Sequence, residues 1–175
     1  MTWTDQIGNL LKQYTSGGAA AAPAPDVHAH YDQVAAAAPI SALAEGLSAA
    51  FKSDQTPAFG QMLSTLFNNS SGEQKAGIIN QIMSSVPPGT LTSLLSGAGL
   101  ASILGHGATQ VTPEQAQQIS RDAVQQLATQ AHAADPSIVD TVSNFYAQDS
   151  TLVKTLGGAA LTVALAKVAE RQRQA

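Results

Sequence analysis

The chain has 175 residues and contains no cysteine. This absence excludes disulfide bonds, thiolate zinc sites, iron–sulfur clusters and a cysteine nucleophile. A chain of this length can bury a sizeable core without disulfides or metals, so folding gives no reason for a cofactor. We therefore predict no cofactor.

Charge is also scarce, since charged residues make up 11% of the chain. Eight Lys and Arg stand against twelve Asp and Glu, and the basic residues are scattered apart from "ERQRQ" near the end. Nucleic acids and anionic membrane surfaces both require a clustered cationic face, so we predict neither as a partner. A surface with few charges is less protected against association, which is a first indication of a self-associating or partner-covered protein; a low-charge monomer is the alternative.

Long apolar runs are missing as well. The longest, "LGGAALTVALA" at 156–166, is shorter than the roughly 20 residues that a membrane-spanning helix needs. The N-terminus "MTWTDQIGNLLKQYTS" lacks the basic start and the apolar run of about 7–15 residues that mark a secretory signal. We expect a soluble, cytoplasmic protein without a membrane span.

No stretch shows the period of two that is typical of strands, whereas apolar residues recur at helical spacing along the chain. Helix start signals lie between these runs of helically spaced apolar residues. They are Thr56 before Pro57, Thr112 before Pro113 with Gln115, Asp135 before Pro136, and Ser71 with Gln74. The pattern predicts an all-α multihelical bundle. It includes long helices at 113–134 and 150–172, of which the second is apolar around most of its circumference and therefore central or shared with another subunit.

The first residues form a separate amphipathic pattern. A helical face at residues 1–15 carries Trp3, Ile7, Leu10, Leu11 and Tyr14, which we predict to be protein-contact residues. Residues 16–26 are a tether made mostly of Gly, Ala and Pro, and 27–175 form the multihelical domain. Such an arm can dock on its own domain, on a neighbouring subunit or on another protein.

Two histidines lie close together in "APDVHAHYDQVAAAAP", residues 24–39. We read this stretch as a helix that Asp26 caps, which puts His28 and Asp32 on one face and His30 on nearly the opposite one. The two histidines then cannot share a metal, and solvated or capping roles are favoured. The alternatives are a metal site of His28 and Asp32 with His106 or His132, and a pH-sensitive contact.

Signatures of catalysis are absent from the sequence. The glycine-rich "GAGLASILGHG" lacks the lysine and hydroxyl of a P-loop. No "GxSxG" nucleophile elbow occurs, and no glutamate is followed three residues later by histidine, as it is in di-iron bundles. We predict a non-enzymatic protein.

Two consecutive segments, "VTPEQAQQISRDAVQQLATQA" and "ADPSIVDTVSNFYAQDSTL", carry a resemblance to a known family. Their Pro-capped "PEQ" helix, short second helix and Leu/Val-containing third segment resemble the YidB-like family of small bacterial helical proteins over residues 96–156. The resemblance implies an all-helical bacterial protein. That family has no established chemistry, so the resemblance assigns no site residue.

These observations lead to one main hypothesis and two alternatives. The main hypothesis is a structural or protein-interaction protein that associates with itself or with another protein through its N-terminal arm. The first alternative is binding of an apolar small molecule or lipid between Ala/Gly-rich helices. The second is a histidine-based metal-binding protein.

Overall fold

The structure is a computed structural model that describes residues 3–16, 26–105 and 108–174. The described ranges are 78% helical, and they contain twelve helices and no strand. The predicted all-α multihelical fold is therefore confirmed. In chain order the helices are α1 (Trp3–Ser16), α2 (Val27–Ala37), α3 (Ile40–Lys52), α4 (Phe59–Asn69), α5 (Gly72–Ser85), α6 (Pro88–Gly97), α7 (Ala101–Leu104), α8 (Pro113–Gln117), α9 (Arg121–Ala134), α10 (Ile138–Tyr146), α11 (Ser150–Lys154) and α12 (Gly158–Gln174).

The chain divides into two compact units. Unit 1 comprises Met1–Ala58 and Ser143–Ala175, and unit 2 comprises Phe59–Val142. One boundary therefore falls at the start of α4 and the other within α10. The helix predicted as an N-terminal arm belongs to unit 1, as does the last helix of the chain. None of the helices in the described part combines the length and the apolarity needed to cross a bilayer.

Helix α12 is the centre of unit 1. It lies against α1, α2, α3 and α11, which agrees with the central position predicted from its apolar circumference. Its contact with α3 is unusually close, because a Cβ on Gly46 would stand 2.7 Å from the carbonyl oxygen of Ala164. Glycine is thus required where the two backbones meet. The residues that α12 buries are mostly small or aliphatic: Ala160, Leu161, Thr162, Ala164, Leu165, Val168 and Ala169.

In unit 2, α9 packs against α4 and α6, while α5 packs against α8. The α4–α9 contact also depends on a glycine, since a Cβ on Gly60 would lie 2.8 Å from the carbonyl oxygen of Gln125. The predicted capping boxes are confirmed at the starts of α5 and α8, where Ser71 pairs with Gln74 and Thr112 with Gln115.

Two helices predicted as continuous are each divided. The helix predicted at 113–134 is interrupted before Ser120, whose hydroxyl accepts a hydrogen bond from the backbone N–H of Ala123 at 3.2 Å and starts α9. The helix predicted at 150–172 is interrupted at Gly157, which has a φ of +91°. That backbone conformation ends α11 at little cost, because glycine has no Cβ to clash.

Thr56 and Asp26 make no side-chain capping bond to the helices that they were predicted to start, whereas Asp135 caps the turn before α10. The hydroxyl of Thr56 donates to the carbonyl oxygens of Ala50 and Ser53, so it closes the end of α3 instead of starting the next helix. The side chain of Asp26 makes no capping hydrogen bond to α2. Asp135 ends α9 and accepts the backbone N–H of Ser137 at 2.9 Å, and α10 begins after that turn.

Candidate interaction site

The candidate site is the contact between α1 and the rest of unit 1. Helix α1 lies on a surface formed by α2 and α12, which we call the α1 seat and which includes His30, Ala169 and Gln172. Of the tether predicted at residues 16–26, residues 17–25 lie outside the described residues.

Three of the five predicted contact residues are buried against this chain itself. Ile7, Leu11 and Tyr14 are 4%, 1% and 7% exposed, and Leu10 is half-buried. The side chain of Trp3 lies outside the described residues. The predicted apolar face therefore docks in cis in this structure, which is the first of the three alternatives.

The spacing of the buried residues explains why α1 is helical there. Leu11 follows Ile7 by four positions and precedes Tyr14 by three, so the three side chains share one face of a helix. A helix of 14 residues is marginal when isolated in water, and most of its stability comes from packing of its apolar face. We conclude that α1 depends on the seat for its helical structure.

A hydrogen bond joins the end of α1 to α2. The hydroxyl of Tyr14 lies 2.7 Å from Nδ1 of His30, and the two rings meet edge to face with centroids 5.9 Å apart. Burial raises the pKa of Tyr14, and the nearby carboxylate of Asp26 raises that pKa further, so the hydroxyl keeps its proton. It can donate to an unprotonated Nδ1 or accept from a protonated one. The bond can therefore form with either direction of donation, and the pH-sensitive contact considered from the sequence stays a prediction.

A cleft of about 140 Å³ remains between α1 and α12. A Cβ on Gly8 would reach ordinary contact distance, 3.4 Å, from Nε2 of Gln172 at this point. The cleft is lined by Gly8, Leu11 and Lys12 from α1, and by Ala169, Gln172 and Arg173 from α12. Residues 8 and 172 thus face each other across the contact between α1 and α12, so they identify where α1 lies on its seat.

Next to His30, the hydroxyl of Tyr31 is buried and has no hydrogen-bond partner among the described residues. Tyr31 is 1% exposed, and its burial, together with the charge of Asp32, raises the pKa of the phenol far above its usual value. A buried donor without a partner costs about 1–3 kcal/mol, because the water that it gives up is not replaced. The ring of Tyr31 thus stabilises the packing of α2 while its hydroxyl opposes it.

We expect Tyr31→Phe to leave the free energy of unfolding unchanged or to raise it by about 1 kcal/mol, since it removes an unsatisfied hydroxyl and keeps the ring. The matched control is Tyr14→Phe, which removes the bond to His30 and is expected to cost about 1 kcal/mol. Urea denaturation of the two variants measures both values. A loss of about 1 kcal/mol or more for Tyr31→Phe would contradict the assignment.

Within the described part of the chain, the histidines and aspartate proposed as metal ligands form no group that could hold a metal. His28 is exposed, and the carboxylate of Asp32 is 2.8 Å from Nζ of Lys154 in an ion pair between α2 and α11. His132 belongs to unit 2, where its ring lies 5.4 Å from that of Phe59, and His106 is outside the described residues. No group of three His, Asp or Glu that could hold a metal occurs among the described residues.

Two further clefts bear on the small-molecule alternative. One, of about 230 Å³ in unit 1, is lined mainly by alanines, Leu43 and Ile40, which is 53% exposed. The other, of about 390 Å³ in unit 2, is lined by polar side chains of α9, including Gln125, Gln126 and Gln130. Small-molecule sites are mostly apolar and occupy about 300–1,000 Å³. The apolar cleft is smaller than that range and the larger cleft is polar, so neither supports an apolar ligand.

The hydrogen bond between His30 and Tyr14 was not predicted from the sequence, although the position of His30 on α2 indicates such a contact. Val27, Tyr31 and Val34 form the buried stripe of α2, and His30 lies beside Tyr31 at the edge of that stripe. A polar residue at such an edge is well placed to bond a group from a neighbouring helix. Its partner, Tyr14, lies sixteen residues away across the tether.

Comparison of the chain with protein-family models, with curated proteins and with solved structures found no match. The resemblance to the YidB-like proteins therefore stays a prediction from the sequence.

Proposed function

We propose that this chain is a non-enzymatic protein-interaction protein that associates with further copies of itself through α1. The observation that carries the proposal is the apolar face of α1, on which Ile7, Leu11 and Tyr14 are each at most 7% exposed. If α1 left its seat, this face and the surface that it covers would both be open to water. Contiguous apolar patches on water-exposed surfaces normally mark contacts with other proteins.

The connection to the rest of the chain permits such a change of position. Residues 17–25 are all Gly, Ala or Pro, so their sequence supplies no large apolar side chain that would anchor them to unit 1. Nine residues span about 30 Å when extended. That length reaches from one copy of the protein to a second copy beside it.

The low charge of the chain favours association as well. With charged residues at 11% and a net charge of −4, copies of the protein repel one another weakly. Ile40 adds an exposed aliphatic side chain on unit 1. Neither feature by itself selects a contact surface, but the low charge weakens repulsion between copies and Ile40 adds exposed apolar area.

Two purified populations with different affinity tags provide the test. After mixing at about 1 mM protein, the effective concentration expected for a short tether, copies with the native sequence should capture one another. Leu11→Asp copies should not, because a carboxylate at a site 1% exposed prevents docking of α1. Asn9→Asp is the matched control, since residue 9 is exposed on the same helix, and it should capture as the native sequence does. Equal capture by Leu11→Asp and Asn9→Asp would reject a role for α1, and no capture by the native sequence would reject self-association.

A further inference from the structure

We infer that the α1 seat of one copy accepts α1 of a second copy, so that two copies exchange their N-terminal helices and Tyr14 of each chain bonds His30 of the other. The inference rests on the proposed function and adds its contact surface and its partner. The seat already fits α1 in detail, through burial of Ile7 and Leu11 and through the hydrogen bond of Tyr14. A second copy presents the same sequence, so exchange needs no contact that the structure does not already contain.

The symmetry of this exchange closes the assembly. Each copy donates one α1 and receives one, which makes a two-fold dimer in which the same patch is used on both chains. Two separate copies contain two contacts between an α1 and a seat, and the exchanged dimer contains the same number. Exchange is therefore opposed mainly by the loss of translational and rotational freedom, and it becomes more favourable as the protein concentration rises.

The tether sets the concentration at which exchange occurs. A connection of this length holds α1 near its own seat at an effective concentration on the order of 1 mM. Docking in cis should dominate far below that concentration, and docking in trans should compete near it. Any change that prevents α1 from folding back should move the exchange to lower concentrations.

The absence of cysteine allows a direct measurement, because introduced thiols are the only ones present. Residues 8 and 172 face each other across the α1 seat, where a Cβ on Gly8 would lie 3.4 Å from Nε2 of Gln172. In the double variant Gly8→Cys, Gln172→Cys, a short thiol-reactive cross-linker joins the two positions. Docking in cis gives a covalent monomer and docking in trans gives a covalent dimer, and a denaturing gel separates the two.

The fraction of covalent dimer should rise at least about tenfold between roughly 10 µM and 1 mM protein, because the upper value reaches the effective concentration set by the tether. A mixture of chains that carry only Gly8→Cys with chains that carry only Gln172→Cys should give covalent dimers near 1 mM, since only docking in trans brings those thiols together. Covalent monomer alone at every concentration, with no product from the mixture, would overturn the inference.

The two failures are distinguishable. If differently tagged native copies capture one another but the thiols at residues 8 and 172 join only within one chain, exchange is wrong while self-association stands. If the tagged copies do not capture one another, the proposed function fails together with the exchange.

Discussion

Replacement of Gly46 by leucine is expected to destabilise unit 1 by about 3 kcal/mol, because overfilling a close-packed contact forces backbone shifts. A Cβ at this position would stand 2.7 Å from the carbonyl oxygen of Ala164 and 3.0 Å from Cγ2 of Val168. The first of these neighbours is backbone and cannot rotate away, so α3 and α12 would have to separate. Because α1 and α2 also pack on α12, their packing would be disturbed as well.

Gly89→Leu is the matched control for this substitution. A Cβ on Gly89 would meet nothing within 4 Å, and the residue is exposed in α6. Leucine there should change stability by no more than about 1 kcal/mol, and in the stabilising direction, since it is a better helix former than glycine. Urea denaturation followed by circular dichroism measures both variants. Equal stabilities would show that α3 and α12 do not approach each other as closely as described.

Leu11→Asp is expected to release α1 from its seat and to lower the free energy of unfolding by about 3 kcal/mol or more, since truncation of a buried leucine alone costs about 2–5 kcal/mol. Leu11 is 1% exposed and lies between α1 and α12, so an aspartate there would bury an unpaired carboxylate. Detachment avoids that cost, but a free helix of 14 residues is marginal in water. Helix α1 should therefore unfold while the other helices of unit 1 stay folded.

Hydrogen exchange measured by mass spectrometry follows this release directly. In Leu11→Asp the amides of α1 should exchange at rates close to those of an unfolded chain, while those of α3 and α12 keep most of their protection. Asn9→Asp adds the same charge to an exposed position of α1 and should leave the protection of α1 unchanged. Protected α1 amides in Leu11→Asp would contradict the placement of Leu11.

The fold class was predictable because its signals are local. Helical spacing of apolar residues and capping boxes such as Thr112 with Gln115 act within a few positions, and both are found where the sequence places them. The breaks at Ser120 and Gly157 were missed because apolar spacing continues across both of them. Whether a helix continues through such a residue depends on the neighbouring helices against which it packs.

Only the α1 side of the candidate site was predictable from the sequence. The face of α1 follows from the spacing of Ile7, Leu11 and Tyr14, whereas its seat combines α2 with a helix that begins at residue 158. No local signal indicates which distant helices form one compact unit. The contact between Tyr14 and His30 likewise depends on how α1 and α2 pack, and neither residue by itself specifies the other.

The central claim is that copies of this chain associate through α1, and sedimentation equilibrium of the native chain and of Leu11→Asp tests it most directly. Between about 10 µM and 1 mM, a range that reaches the effective concentration of a short tether, the native chain should shift from monomer towards dimer. Leu11→Asp should stay monomeric throughout, and Asn9→Asp should follow the native chain. A native chain that remains monomeric across this range, or a Leu11→Asp variant that dimerises as the native chain does, would contradict the account.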